Sequence, residues 1–321
     1  MKQSRRRLLL LATLLVPIVA RPREAMKPYR IGLLTTGAGA PNPLQQSLAE
    51  LGYVEGRDMV IERRTSAGRI ERLDALALDL VRLKMDVIVA ANPASVMSAK
   101  RATTTIPIVM MHTPDPVQLG LIASLARPGG NITGVTTLSA RVSIKQLELF
   151  KEAVPRLTRV TVVWNPDNPW HGATVDAIER DAGAMGLQAQ PMKIHGPDGF
   201  DGAFRAMIGE GSQGVLVLAD PTTYFHRRRL AELAIRHRLP MMGSLSDYAE
   251  AGSLLSYWAN TTDVYRRVAS FVDRILKGAK PGDLPVEQPT KFELIVNLRT
   301  AKALGITIPQ AFLLRADRVI E

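Results

Sequence analysis

Polar side chains follow several short apolar runs of this sequence, each at a point where a buried strand is predicted to end. In an open parallel sheet, ligands bind outside the carboxyl ends of the strands, where helix N-termini offer unpaired backbone N–H groups. Hydroxyl and amide groups there can bind carboxylate or hydroxyl oxygens, and an aspartate can pair with an amino group. The residues that we predict to bind a ligand are Thr35, Thr36, Asn92, Ser95, His112, Thr113, Asn165, Trp170, Asp220, Tyr224, Ser244 and Asp247.

A structural role remains open for each of these residues. Asn92 can cap the helix that follows it, with Ser95 in the first turn, and capping alone explains both residues. Trp170, Tyr224 or Tyr257 can supply an apolar wall for a ligand, but each can equally be a surface aromatic beside a turn.

Motifs for catalysis and metal binding are missing from the sequence. It has no Gly-x-Ser-x-Gly elbow, no His-Glu-x-x-His helix and no EF-hand loop, and its five histidines show no ligand spacing. The loop after the first predicted strand, residues 35–42, matches neither a P-loop nor a dinucleotide fingerprint. The absence of cysteine excludes disulfides, thiolate sites and a lipid-modified cysteine anchor. We therefore predict no catalytic residue, no metal and no cofactor.

The net charge of +11 does not indicate nucleic-acid binding. Residues 1–20 carry four positive charges and no negative ones, which leaves +7 for the remainder of the chain. The one dense basic cluster, residues 226–229, begins a predicted helix and has no interleaved aromatic residues. It is typical of a solvated helix face.

The first twenty residues have the order of a secretory signal peptide. Lys2 and the arginines at 5–7 precede an apolar run, residues 8–19, and Ala20 suits a cleavage position. The run is shorter than the ~20 apolar residues of a membrane-spanning helix, although a retained anchor is the alternative. Residues 4–9 also resemble a twin-arginine signal, so the export route, Sec or twin-arginine, stays open. We expect a periplasmic protein.

From Tyr29 onward, short apolar runs alternate with segments of helical periodicity, and this pattern starts again after Ser139. It predicts an α/β protein of two Rossmann-like, doubly wound lobes. Surplus elements after residue 253 indicate a return to the first lobe and a last crossing, which makes a three-crossing hinge. We assign 28–137 plus 258–282 to the first lobe and 138–257 plus 283–321 to the second. The proline-rich stretch 280–289 is predicted as an extended crossing segment, with a surface loop as the alternative.

Several stretches, in order along the chain, resemble the ABC transporter substrate-binding family whose known ligands include tryptophan and tyrosine. They are residues 51–56, 86–90, 115–121, 125–134 and 275–297. The resemblance implies a type I periplasmic-binding-protein fold whose lobes close on a ligand. It also implies that the strand-end loops named above match the cleft loops of the family. The segment Arg127–Gly134, which marks the family most clearly, we interpret as a structural turn.

The resulting functional expectation is a monomeric receptor that captures a small polar molecule and docks on an ABC transporter permease. An aromatic amino acid is a candidate ligand, although only 5% of the residues are aromatic. Contact with the membrane complex would be peripheral. A sensory ligand-binding module is the first alternative. A periplasmic enzyme using Asp115, His112 or Asp220 is the second.

Overall fold

The computed structural model describes residues 27–37, 43–137, 139–168 and 170–321. The predicted signal peptide, residues 1–20, lies outside these ranges. Among the described residues, no helix has both the length and the apolar character needed to cross a membrane.

The first lobe is built on a parallel sheet of five strands in the order β2-β1-β3-β4-β5. The strands are β1 (Tyr29–Thr35), β2 (Met59–Thr65), β3 (Val87–Ala90), β4 (Ile108–Thr113) and β5 (Ile132–Thr136). The helices between them are α1 (Pro43–Glu50), α2 (Leu73–Arg82) and α3 (Pro93–Ala102). All four residues of β3 are buried, as expected for a central strand covered by helices on both faces.

The second lobe is built on a seven-stranded sheet in the order β12-β11-β10-β9-β8-β6-β7, parallel except where β10 meets β11. Its strands are β6 (Arg159–Trp164), β7 (Gln188–Lys193), β8 (Val215–Val217), β9 (Met241–Gly243), β10 (Leu255–Ala259), β11 (Phe292–Asn297) and β12 (Arg318–Ile320). The remaining helices of the chain are α4 (Ser139–Ala153), α5 (His171–Ala182), α6 (Phe200–Gly209), α7 (Pro221–Phe225), α8 (Arg227–Arg236), α9 (Ser246–Ala251), α10 (Thr261–Leu276), α11 (Leu298–Leu304) and α12 (Gln310–Leu313). The predicted two-lobed α/β fold is confirmed.

Helix α10 follows a strand of the second sheet but packs on the first. Its apolar face, with Val268, Phe271 and Val272 among its members, is buried in one cluster with Ile31 and Val109 of the first sheet. The opposite face of that sheet is covered by α2 and α3. The first lobe therefore takes an essential part of its core from residues far along the chain.

The chain also extends the first sheet after α10. The N–H of Glu287 donates to the carbonyl of Gly134 at 2.9 Å, and the N–H of Thr136 donates to the carbonyl of Glu287 at 2.9 Å. Glu287 therefore pairs with the first sheet, although we assigned residues after 282 to the second lobe. Conversely, Ala259 pairs with the second sheet, although we assigned residues from 258 to the first lobe. We therefore propose crossings between β5 and α4, between β10 and α10, and between Glu287 and β11.

The stretch 280–289 is extended except for a single 3₁₀ turn, Pro281–Asp283. The prediction that this whole stretch is extended and not helical was wrong at residues 281–283, because proline is tolerated in the first turn of a helix. The turn packs against the segment Arg127–Gly134, whose Gly129 has φ +79° and donates to the carbonyl of Gly282. A Cβ on Gly134 would overlap the Met110 carbonyl oxygen in the neighbouring strand. The interpretation of 127–134 as a structural turn is confirmed.

Candidate functional site: the cleft between the lobes

A cavity of about 460 Å³ lies between the two lobes and is lined by residues of both. It opens where the strands of both sheets end, which is the position that open parallel sheets use for ligands. The volume falls within the range of roughly 300–1,000 Å³ of small-molecule sites. The cavity is therefore the candidate binding site.

The first lobe contributes hydroxyl and amide groups at the ends of β1 and β3. The Asn92 side chain caps α3 by accepting a hydrogen bond from Ser95 N–H at 3.0 Å. Its Nδ2 donates to Thr36 Oγ1 at 3.1 Å. Because Thr36 Oγ1 accepts this bond, its own hydroxyl proton stays available for a ligand.

His112, at the end of β4, lines the cavity in an unusual backbone conformation with φ +47°. The indole Nε1–H of Trp258 donates to its Nδ1 at 3.3 Å. Burial in the cleft lowers the pKa of His112 to about 4, so the ring is neutral near neutral pH. Since Nδ1 accepts a hydrogen bond, the single proton of the neutral ring is on Nε2.

The second lobe presents Asp220, which is 4% exposed and caps the N-terminus of α7. Its Oδ1 accepts from Thr222 N–H at 2.8 Å, and its Oδ2 accepts from the amides of Asn168 at 2.9 Å and Asn165 at 3.4 Å. The neighbouring His171 is almost buried, and this burial lowers its pKa. The donors that stabilise this buried carboxylate are neutral amide and backbone N–H groups.

Asp247 on α9 is more exposed to the cavity than Asp220. Its nearest ionic partner is Arg227, at 3.7 Å. The guanidinium of Arg227 lies over the ring of Tyr224, 4.5 Å from its centroid. Burial, together with the Asp247 charge, raises the pKa of Tyr224 to about 12, and the same two causes raise the pKa of Tyr265. Both phenols therefore stay protonated around the carboxylate.

Four large aromatic side chains line the cavity. Trp170 and Tyr224 belong to the second lobe, Trp258 lies at the crossing strand β10, and Tyr265 lies on α10 of the first lobe. Rings from both lobes thus face one space, which suits a planar apolar group held by stacking and edge contacts.

The lobes touch at the mouth of this cavity. A Cβ placed on Gly68, in the loop after β2, would lie 3.0 Å from Cγ of Phe225 in the second lobe. A Cβ on Gly37 would lie 3.6 Å from Tyr224. The conformation is therefore a closed one, with first-lobe backbone directly against second-lobe rings.

The structure brings eight of the twelve predicted site residues to the cavity wall: Thr35, Thr36, Asn92, His112, Trp170, Asp220, Tyr224 and Asp247. The other four are buried beside it. Ser95 is fully buried, Thr113 bonds to the carbonyl of Met111, Asn165 supports Asp220, and Ser244 is 1% exposed.

Tyr257, which we considered as an apolar wall, stacks on Phe292 and does not line the cavity. Sequence reasoning missed Trp258, Tyr265 and Glu250, which line it. The signal that could have identified Tyr265 was the predicted return of the chain to the first lobe, which carries the start of α10 toward the cleft.

Within the described ranges, no group of three or more His, Asp or Glu side chains is arranged to hold a metal ion. Asp115, considered above for catalysis, caps the turn that follows β4 by accepting from Val117 N–H and Gln118 N–H.

Two α/β lobes that close over a lined interlobe cavity define a two-lobed ligand-binding protein. A family model described as "ABC transporter substrate binding protein" matches residues 39–320. The chain belongs to this family, and its assignment by sequence motifs is confirmed. The family is one of solute-binding proteins that work with ABC transporters.

Individual relatives agree with this assignment. The chain is 26% identical over 262 residues to a protein of Clostridioides difficile named tyrosine-binding protein, covering 81% of this chain and 75% of the relative. A conserved domain protein of Vibrio cholerae is 27% identical, with a TM-score of 0.85 over 91% of this chain and 100% of that one. An ABC domain from Streptococcus pneumonia, solved in complex with L-Trp, is 24% identical, with a TM-score of 0.84 over 92% and 100% of the two chains.

Proposed function

We propose that this protein is the extracytoplasmic receptor of an ABC importer and that it binds an aromatic amino acid in the cleft. The observation that carries the proposal is the cavity of about 460 Å³ in which four aromatic rings and several carboxylates converge from the two lobes. An amino acid with a planar side chain has the two chemical features that this lining complements: an apolar ring and an ammonium group.

The relatives support the same ligand class. One is named for tyrosine binding, and another was solved with L-Trp. In the proposed mechanism, the ligand contacts both lobes, stabilises the closed form, and the closed form docks on the permease. The proposal includes an N-terminal signal peptide, a periplasmic location and a monomeric state, because lobe closure and docking both need exposed surface.

The test uses the chain from Arg21 and two readouts, thermal unfolding and tryptophan fluorescence. A ligand that binds only the folded state at a hundredfold excess over Kd adds ~2.7 kcal/mol of stability. L-Trp and L-Tyr should raise the unfolding midpoint, whereas L-Leu, L-Glu and a sugar should not. A clear shift with a sugar, and none with either aromatic amino acid, would contradict the proposal.

Fluorescence locates the ligand, because two of the three tryptophans, Trp170 and Trp258, line the cleft and Trp164 does not. Titration with L-Tyr should change the emission of the wild type. Trp164→Phe is the matched control and should keep this response. Trp258→Phe should weaken binding, since it reduces the aromatic wall of the cleft and removes the hydrogen bond to His112.

A further inference from the structure

The charged groups that line the cleft are divided between the lobes. All three carboxylates among the described lining residues, Asp220, Asp247 and Glu250, belong to the second lobe. The first lobe contributes the guanidinium of Arg63, which pairs with Glu55 at 3.2 Å, and neutral hydrogen-bond donors. The electrostatic potential across the cavity is therefore asymmetric.

Of the three carboxylates, Asp247 has the most capacity left for a ligand cation. The oxygens of Asp220 already accept three hydrogen bonds from amide and backbone donors. Glu250 pairs with Arg318 at 2.9 Å. Asp247 has its nearest described cation at 3.7 Å and is 35% exposed, so an ammonium group can pair with it.

On the first-lobe wall of the cavity, His112 can donate a hydrogen bond to a ligand. Trp258 occupies its Nδ1, which leaves the Nε2–H as the free polar edge of the ring. In the described part of the chain, no hydrogen bond of Nε2 to protein is found, and the residue lines the cavity. Its positive φ is the kind of backbone strain that persists where the surroundings impose a functional geometry.

We propose that the amino acid lies across the cleft, with its carboxylate on the first lobe at His112 and Thr36 and its ammonium on the second lobe at Asp247. This inference rests on the proposed function. Each lobe then recognises one charge of the zwitterion, and only a ligand that carries both charges links the lobes. Trp258 acts as a positioning residue, because its indole N–H selects the tautomer that donates.

The experiment compares three probes by calorimetric titration: L-Trp, tryptamine, which lacks the carboxylate, and indole-3-propionate, which lacks the ammonium. The wild type should bind L-Trp at least about tenfold more tightly than either analogue, as expected for the loss of one charge-assisted contact. Two variants, Asp247→Asn and His112→Asn, each remove one contact, and asparagine tolerates the positive φ at position 112.

We expect each variant to lose the preference for L-Trp over a different one of the two analogues. Asp247→Asn should bring the affinity for L-Trp within a few-fold of that for indole-3-propionate, while the preference over tryptamine remains. His112→Asn should lose the preference over tryptamine and keep the preference over indole-3-propionate. The control Asp201→Asn removes a second-lobe carboxylate that pairs with Arg229 outside the cleft, and it should change neither ratio. Unfolding midpoints without ligand verify that each variant is folded.

The outcomes separate the two proposals. If L-Trp binds but the variants exchange their effects, or leave both ratios unchanged, the orientation is wrong and the proposed function stands. If L-Trp does not bind, the same comparison is made with L-Tyr, tyramine and 3-(4-hydroxyphenyl)propionate. Failure of both amino acids to bind the wild type overturns the orientation together with the proposed function.

Discussion

Replacing Gly68 by alanine should weaken ligand binding about tenfold, because the new methyl group would meet Phe225 only when the lobes are closed. The Cβ would lie 3.0 Å from Cγ of that ring, whereas ordinary van der Waals contacts begin near 3.4 Å. Overpacking of this kind costs roughly 1–3 kcal/mol. A penalty near the lower end of this range, ~1.4 kcal/mol, corresponds to a tenfold change in Kd.

Alanine at this position also strains the backbone, since Gly68 has φ +80°. Gly56→Ala is the matched control, because Gly56 lies in the same lobe with φ +86° and has nothing within 4 Å of its Cβ position. Both variants should lose ~1 kcal/mol of stability without ligand. Calorimetric titration with L-Trp or L-Tyr should show the loss of affinity in Gly68→Ala alone. Equal affinities in the two variants would refute the reasoning that the ligand-bound form closes onto Phe225.

Three further predictions concern stability and pH. Gly134→Ala should lower the free energy of unfolding in urea by about 4 kcal/mol or more, because its Cβ would overlap the Met110 carbonyl oxygen inside the first sheet; a loss below ~1 kcal/mol would contradict this. The pKa of His112 falls from its ordinary value of 6.5 to about 4, so its contribution to stability is complete above about pH 6.5 and is lost as the pH falls toward about 4. His112→Asn should therefore lose less free energy of unfolding than the wild type between about pH 7 and about pH 4.5. An identical loss would show that protonation of His112 does not contribute to the pH dependence of stability. Asn92→Ala should lower the unfolding midpoint, because it removes the cap of α3, which contributes ~1 kcal/mol. It should also weaken ligand binding, because it removes the hydrogen bond that positions Thr36. Unchanged binding would show that Asn92 does not position Thr36 for the ligand.

Local patterns were sufficient to predict the alternation of strands and helices in both lobes, but not every element. Residues 132–136 favour a strand from local sequence, because they have four β-branched residues around Gly134 and follow a glycine turn, and they form β5 in the structure. Helix α9 was missed, and its first residues, 246–248, were interpreted as part of a strand-end loop. Helix α9 has only six residues, too few to show helical periodicity, and its N-cap residue, Leu245, has no capping side chain. Neither signal for a helix is therefore present in the sequence. Strand β12 has only three residues, which are too few to show the alternation that predicts a strand.

The binding site was partly predictable because strand ends converge at one edge of a parallel sheet. The misses follow from two causes. The strand is irregular between Met110 and Thr113, so that Met111 and His112 both line the cleft whereas Thr113 is fully buried. Trp258 and Tyr265 reach the cleft through the return of the chain to the first lobe; the surplus elements indicate this return, but local sequence does not indicate which side chains it brings to the cleft.

The dependence of the first lobe on α10 and on the Glu287 pairing sets the order in which the protein can be completed. A growing chain has all five strands of the first sheet by residue 136, but α10, which covers one face of that sheet together with α1, begins only at Thr261. Until then, the apolar surface that includes Ile31 and Val109 is covered by α1 but lacks the contacts of α10. The second lobe can acquire most of its strands in the interval. The lobe that starts first therefore finishes nearly last, and a fragment ending near residue 137 should aggregate rather than fold.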